Sequence, residues 1–305
     1  MTAAVRTVGV IGLGAMGAPM ARNLMKAGFG ISVWARRPQS AEGLVAEGAR
    51  LRASPADLAR SCDAVVTVVT ADADVRAVLL GPSGVIEGAR PGLLVIDHST
   101  IAPSTARDCA QALAARGVDC LDAPVSGGEV GAVAGTLSVM AGGSEGAYAR
   151  AEPLFAAIGR TRVRVGDSGA GQVAKAANQL ALCVTLQAMA EAVMYAQRQG
   201  CAAGPILEAA GLGLAASRIL EVMGPRMASG DHRAGVESRL HWKDLRIVLE
   251  VAREAGVPLP GTALATQTFS ALQAAGGARR DSSAIVTVLR AAGLPPADPS
   301  DASPA

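Results

Sequence analysis

The chain has 305 residues and a formal net charge of +2. That length suits one large or two ordinary domains, and so small a charge argues against nucleic acid or a membrane surface as partner. Half of the residues are apolar and only 2% are aromatic, so the core must be built from Ala, Val, Leu, Ile and Met.

The elements follow in chain order. Val8 to Ile11 reads as a strand, placed where a secretory sequence would show a longer apolar run; the cytoplasm is the expected location. Ala15 to Ala27 reads as a helix stopped by Gly28. Ile31 to Ala35, Ala64 to Val69 and Leu93 to Asp97 are further strands, unbroken and rich in Val or Ile, as parallel strands covered on both faces are. Ser54 and Pro103 stand where helices would start. The alternation predicts a doubly wound α/β sheet, completed by Val118 to Leu121, Leu137 to Ala141 and Arg162 to Val165. Beyond Gly166 the period becomes helical: Gln172 to Gln199, Pro205 to Ala210, Ser217 to Met223, Lys243 to Ala255 and Thr262 to Ala275. Within the first of these, Leu180 to Ala196 is shorter than a bilayer span of about 20 apolar residues and reads as a buried helix. The expected organisation is an α/β domain over 1–165, an all-helical domain over 166–293, and a Pro-, Ala-, Ser- and Asp-rich tail over 294–305 expected to be disordered.

The five cysteines, Cys62, Cys109, Cys120, Cys183 and Cys201, include no CxxC pair and are odd in number. They do not make a disulfide framework, and no metal-ligand spacing is present.

Gly12-Leu13-Gly14-Ala15-Met16-Gly17 is a GxGxxG string. Its weight comes from context, since it follows a strand and opens a helix at the first β-α turn. One glycine permits the turn, one lets backbone approach a pyrophosphate, and one lets helix and strand pack closely. The helix N-terminus offers N–H groups to the phosphates. At the end of the second strand, where an acid would accept from the ribose 2′-hydroxyl of NAD, the chain has Ala35-Arg36-Arg37. Two guanidinium groups suit a 2′-phosphate, so NADP is expected ahead of NAD.

Only three lysines occur, Lys26, Lys175 and Lys243, among 28 Lys and Arg residues. Positions that keep an amine in so Arg-rich a chain are candidates for needing one that can give up a proton. Lys26 is explained by the last turn of the first helix, where a cation favours the dipole. Lys175 lies in the apolar start of the long helix, where burial would suit it to acid–base work. Lys243 is expected at a helix start, where a cation opposes the dipole. In the segment Asp122-Ala123-Pro124-Val125-Ser126-Gly127-Gly128, the Ser126 hydroxyl and the Gly127 and Gly128 N–H groups make a pocket the size of a carboxylate, although the same residues also make an ordinary turn. Ser99 and Thr100, just past a strand, would face the crevice where open α/β sheets bind ligands.

Taken together, these segments resemble the β-hydroxyacid dehydrogenase family. The matching pieces are Gly12 to Gly17 with Met20, Asn23 and Leu24, Asp97-His98-Ser99-Thr100, Asp122 to Gly128, Gly169-x-Gly171-Gln172-x-x-Lys175-x-x-Asn178-Gln179, and Lys243-Asp244-Leu245. They fall in family order across roughly residues 6 to 292. Within the family, Ser217 to Glu221 and Leu240 to Leu245 are most like the members that reduce a short hydroxy-semialdehyde. The resemblance implies a Rossmann domain followed by a helical domain whose helices pack between subunits of a homodimer or homotetramer. It implies that Lys175 is the catalytic acid/base, and that Ser126, Gly127 and Gly128 hold a substrate carboxylate. By the same resemblance Asn178 or Gln179 orients substrate, and Thr100 and Lys243 approach the nicotinamide. Two departures stand out. Many relatives carry Asn four residues after the lysine, where this chain has Gln179 and places Asn178 one residue earlier. Many also carry an aromatic residue near Val236, whose loss would widen the substrate pocket.

The expected chemistry is hydride transfer between NADP or NAD and a small carboxylate-bearing substrate, without a metal. Two other classes fit part of the pattern. Imine reductases share the architecture but usually replace the lysine. A cofactor-binding module without catalysis would give no reason to keep Lys175, Ser126 and Lys243 together.

Overall fold

The computed structural model describes residues 4–233 and 235–293. Packing divides the chain into two units that meet between Ala177 and Asn178. The first contains β1 (Thr7–Ile11), α1 (Gly17–Lys26), β2 (Gly30–Trp34), α2 (Glu42–Ala46), β3 (Arg50–Leu51), α3 (Pro55–Ser61), β4 (Ala64–Thr67), α4 (Asp72–Leu80), α5 (Val85–Gly88) and β5 (Leu94–Asp97). It continues with α6 (Pro103–Ala114), β6 (Asp119–Asp122), β7 (Val125–Ser126), α7 (Gly128–Ala134), β8 (Leu137–Gly142), α8 (Glu145–Ile158) and β9 (Gly159–Gly166).

The strands form one sheet in the order β3-β2-β1-β4-β5-β6-β8-β7, with β9 beside β8. Strands β1 to β6 pair in parallel, whereas β8 runs antiparallel to β6 and β7. The unbroken apolar runs are explained by two cores. Val8, Val10, Val66 and Ile96 enter one, with Met20, Leu24 and Phe155. Their strand neighbours Ile11, Val65 and Val95 enter the other, with Leu58, Leu79 and Leu113. Alternate residues of a strand leave the sheet on opposite faces, so a strand covered on both sides has no position for a polar residue until its end. Full burial of each such side chain contributes about 1.5–3 kcal/mol.

The helix starts follow local chemistry. Ser54 Oγ accepts from the Asp57 N–H at 3.1 Å and Pro55 opens α3, while Pro103 opens α6. Gly28, past α1, has φ +91°. The strand order reverses between β1 and β4, the place where open sheets of this kind hold ligands beyond the carboxyl ends of their strands.

Helix α9 (Ala170–Arg198) starts in the first unit and continues into the second, which adds α10 (Ala203–Gly211), α11 (Arg218–Ser229), α12 (Ser238–Glu254), α13 (Pro260–Ala274) and α14 (Ile285–Ala292). Among the described residues of the second unit the one β contact is the isolated bridge Glu237–Asp281. Cys183, Leu186, Ala190 and Val193 make a helical stripe that packs with Met227, Leu245, Phe269 and Ile285. At 29 residues α9 is long and apolar enough to cross a bilayer, unlike the shorter stretch read from the sequence. It nevertheless carries Gln172, Lys175, Gln179 and Gln187 buried within the protein.

The boundary expected at 165/166 falls before the last residue of β9, Gly166. Packing carries the first unit on to Ala177, because the first turns of α9 are bonded to the sheet, as described below. The expected tail over 294–305 lies outside the described residues.

Candidate active site

The turn after β1 separates the glycines that the fold requires from the one it does not. Gly12 has φ +93°, and a Cβ there would overlap the Val68 carbonyl oxygen; a Cβ on Gly17 would overlap the carbonyl oxygen of Gly12. A Cβ on Gly14 would meet nothing within 4 Å. Gly12 and Gly17 are thus fixed by folding, whereas Gly14 leaves open space before α1. That helix has no side-chain cap and no acid in its first turn, which keeps its N–H groups available to an anion. Leu13 and Met16 are half-buried and pack against the first core. This arrangement fits the pyrophosphate of a dinucleotide. Arg36 and Arg37 follow β2 and are exposed; Arg36 lies 3.6 Å from Asp74, an exposed pair of little energetic weight.

Along the carboxyl edge of the sheet, Ile11, Thr67, Asp97 and Asp122 are register partners on β1, β4, β5 and β6. Polar side chains appear at the point where the strands leave the core. Thr67 Oγ1 donates to Asp97 Oδ1 at 2.6 Å, and the Ser99 N–H donates to the same oxygen at 3.1 Å. The Val69 N–H donates to Ser99 Oγ at 2.9 Å. His98 Nδ1 donates to the Ala123 carbonyl at 2.5 Å. Burial drives the His98 pKa down to about 4, so the ring is neutral. Burial also holds the Asp97 carboxyl above the ordinary carboxylate range.

The start of α9 is locked onto this edge. Asp122 Oδ1 accepts from the Gly169 N–H at 2.7 Å and Oδ2 from the Gln172 N–H at 2.9 Å. Burial raises the Asp122 pKa, and the two N–H bonds oppose that rise. A Cβ on Gly171 would overlap the Asp122 carbonyl oxygen, so glycine is required for the helix to approach the strand. The Gln172 side chain then stitches the helix to the loop after β5: its Nε2 donates to the Ser99 carbonyl at 2.8 Å, and its Oε1 accepts from the Ile101 N–H at 3.1 Å. Half-buried Thr100 lies between those two contacts. Lys175, 7% exposed, follows Gln172 by three residues and therefore lies on the same side of the helix, one turn on.

Ser126 pairs with Ser138 across β7 and β8 and is half-buried. Gly127 and Gly128 have φ +134° and +63°, a conformation that favours glycine and begins the short helix α7. The first unit thus holds Gly12 to Gly17, Arg36, Arg37, Thr100, Ser126 to Gly128 and Lys175.

The second unit holds the remaining candidates, which form a chain. Asn178 Nδ2 donates to Gln179 Oε1 at 2.9 Å, and Gln179 Nε2 donates to Asp244 Oδ2 at 2.6 Å. Lys243 Nζ lies 3.0 Å from Asp244 Oδ1. Gln179 is 3% exposed and spends both ends of its amide inside the protein; Asn178 is half-buried. The expectation that Lys243 opens a helix is corrected. Helix α12 starts at Ser238, because the Ser238 N–H donates to the Arg280 carbonyl and its Oγ to the Gly277 carbonyl, so Lys243 lies more than a turn inside. The sequence reading assigned no role to Thr67, Asp97, His98, Asp122 or Gln172. The only signal for the last four was their place in the motifs quoted above, and Thr67 stood out only as part of a strand.

Comparison with known proteins gives a family for each half of the chain. Residues 7–166 match the family described as the NAD binding domain of 6-phosphogluconate dehydrogenase. Residues 169–289 match the NAD-binding family of NADP-dependent 3-hydroxyisobutyrate dehydrogenase. The chain is 38% identical over 282 residues to 2-hydroxy-3-oxopropionate reductase of Escherichia coli (strain K12), covering 92% of this chain and 96% of that protein. It is 37% identical over 282 residues to 2-(hydroxymethyl)glutarate dehydrogenase of Eubacterium barkeri, covering 92% and 94%. Among solved structures, Mycobacterium tuberculosis 3-hydroxyisobutyrate dehydrogenase with L-serine superposes with a TM-score of 0.87 at 32% identity, covering 93% of this chain and 99% of that one.

Proposed function

The chain belongs to the β-hydroxyacid dehydrogenase family of NAD(P)-dependent oxidoreductases, and from that premise we propose that its substrate is a small β-hydroxy acid and its semialdehyde partner, with 2-hydroxy-3-oxopropionate (tartronate semialdehyde) first among them. The observation that carries this reading is the buried amine of Lys175, one turn beyond a helix start that Asp122 and Gln172 fix to the carboxyl edge of the sheet. The phosphate-binding turn leaves the sheet along the same edge.

A nicotinamide bound there supplies or accepts the hydride. The protein's task is to position the substrate and move a proton. Lys175 Nζ donates a proton to the carbonyl oxygen as negative charge develops on it, and takes it back in the reverse direction. The Ser126 hydroxyl and the N–H groups of Gly127 and Gly128 hold the substrate carboxylate. Thr100 and Lys243 serve the cofactor. Of the two amides, Asn178 is the one we assign to substrate, because Gln179 is closed on Asp244 and on Asn178 itself. Arg36 and Arg37, which stand at the end of β2 where an acid would suit NAD, favour NADP over NAD. Assembly as a homodimer or homotetramer is part of the same reading. Short relatives of the substrate, 3-hydroxyisobutyrate first, are the second choice, since Val236 stands where many family members have an aromatic side chain.

The test is to follow nicotinamide absorbance with NADPH and with NADH against a panel of short semialdehydes, for the wild type and Lys175→Ala. Wild-type turnover with 2-hydroxy-3-oxopropionate, preferring NADPH, is expected. Lys175→Ala should lower kcat by a factor on the order of 10² or more with cofactor Kd nearly unchanged. Full turnover by the variant would remove the role given to the lysine, and turnover only with other panel members would reassign the substrate.

A further inference from the structure

Asp97 and Asp122 are register partners on the adjacent parallel strands β5 and β6, so their side chains leave the sheet on the same face. Both are buried, at 3% and 4% exposed. Their surroundings differ in kind. Asp122 places each oxygen on a backbone N–H at the start of α9, where the helix dipole also favours a negative charge. Asp97 has its two bonds on one oxygen, Oδ1, which accepts from Thr67 and Ser99. Its Oδ2 is buried without a hydrogen-bond partner among the described residues. Asp97 and Asp122, together with Cys109 and Cys120, line a small cavity of about 10 Å³, close to the volume that one water molecule needs.

Two neighbouring carboxylates in a poorly hydrated site do not both ionise, and the charge belongs on the one with a donor on each oxygen. That is Asp122, which leaves the proton on Asp97. There, Oδ2 is the atom able to carry it, since Oδ1 already accepts twice. The other titratable groups around Asp97 act in the same direction. Asp72, at the start of α4, adds negative charge, and burial keeps the Cys109 thiol of α6 and the Cys120 thiol of β6 protonated. The nearby Arg76 is engaged by Asp108 and Thr105.

We propose that Asp97 is a positioning residue held as a neutral acid, whose Oδ2–H donates to a single internal water shared with Asp122, so that an Asp97–water–Asp122 link fixes the loop carrying Thr100 against the helix start carrying Lys175. The positioning role rests on the reading of Lys175 and Thr100 given above; the protonation state and the water site do not.

Infrared spectroscopy of the full-length protein labelled with carboxyl-¹³C aspartate tests the protonation directly, with no substrate needed. A protonated-carboxyl band at neutral pH that disappears in Asp97→Asn is expected. Asp97→Asn keeps the acceptor for Thr67 and Ser99 and replaces the O–H donor with N–H, so its kcat should stay within about twofold of wild type, and because it needs no proton on folding its unfolding midpoint at neutral pH should lie at or above that of wild type. Asp122→Asn turns an amide N–H toward the N–H of Gly169 or Gln172. Its kcat should fall by about tenfold or more, with KM changed less, and its midpoint should drop. No band lost in Asp97→Asn overturns the protonation. A kcat in Asp97→Asn as low as that of Asp97→Ala overturns the neutral-acid assignment. An Asp122→Asn variant as stable and active as wild type overturns the link. If the enzyme reading itself failed, activity would be missing in the wild type too, while the infrared band and the midpoints would still decide the carboxyl pair.

Discussion

Gly12 and Gly14 are two residues apart in one motif, yet different forces hold them. Gly12→Ala would force an L-residue to φ +93° and press its Cβ onto the Val68 carbonyl, at a cost of roughly 2–4 kcal/mol. Gly14→Ala meets no protein atom within 4 Å, so its unfolding midpoint should stay within about 2 °C of wild type. Its methyl group would occupy the space proposed for the pyrophosphate, and NADPH Kd should rise by about tenfold or more. Thermal melts and a fluorescence titration of both variants check this; a Gly14→Ala protein that binds NADPH normally would show that the cofactor takes another path. At this scale the sequence was legible where chemistry is local. A glycine turn, a strand-end arginine pair and a lysine in an apolar helix start can be read without neighbours. Asp97 and His98 could not be read that way, because their protonation depends on burial by segments distant in the chain, such as Ala123 against His98.

The start of α9 carries the site as an element, and Gln172 is its clasp. Removing that side chain in Gln172→Ala leaves the Ser99 carbonyl and the Ile101 N–H buried without partners, about 1–3 kcal/mol each. The loss should amount to about 2–5 kcal/mol in urea unfolding, with kcat down by about tenfold because Thr100 and Lys175 are held from the two sides of this clasp. Gln172→Glu, which can still accept from Ile101 but cannot donate to Ser99, should fall between. A Gln172→Ala protein as stable as wild type would mean that the loop is fixed by other contacts. Elements with strong period or unambiguous ends were legible in the sequence, among them the parallel strands, Ser54 as a cap and the long helix. Helices α2, α4, α5, α7, α8 and α14 were not read, nor were the two-residue strands β3 and β7. Their faces are defined by the sheet or by neighbouring helices, as with Ala147, Ala151 and Phe155 of α8 in the first core. The start of α12 was misplaced for a related reason, since Ser238 is anchored by Gly277 and Arg280, some forty residues on.

Over the whole molecule, acid should act on stability through a contest between buried histidines and buried carboxyls. The pKa of His98 is about 4 in the fold, against an ordinary 6.5. The unfolded chain therefore binds more protons between those values, and stability present above pH 6.5 is lost as pH falls toward 4. The slope approaches about 1.4 kcal/mol per pH unit, or about 3 kcal/mol across the window. His232, lowered by burial and by Arg280 and Arg290, adds a loss of the same sign in the second unit. Asp97 and Asp122 act in reverse, because burial raises their folded values. Their contribution is present below the unfolded carboxylate pKa and lost as pH rises through the folded one, so over the same window it grows as pH falls. Asp63 and Asp281, which are lowered, enter only below about pH 3.9. The wild type should therefore lose less stability between pH 6.5 and 4 than its histidines alone require. Asp97→Asn should steepen that loss, and His98→Gln should flatten or reverse it. Each unit carries one tryptophan, Trp34 in β2 and Trp242 in α12, so urea melts of Trp242→Phe and Trp34→Phe backgrounds read the two units separately. The two substitutions at 97 and 98 should change the Trp34 signal and leave the Trp242 signal alone. Parallel stability–pH lines for wild type and Asp97→Asn would mean that Asp97 takes up no proton on folding, and the carboxyl pair would have to carry two charges in the core.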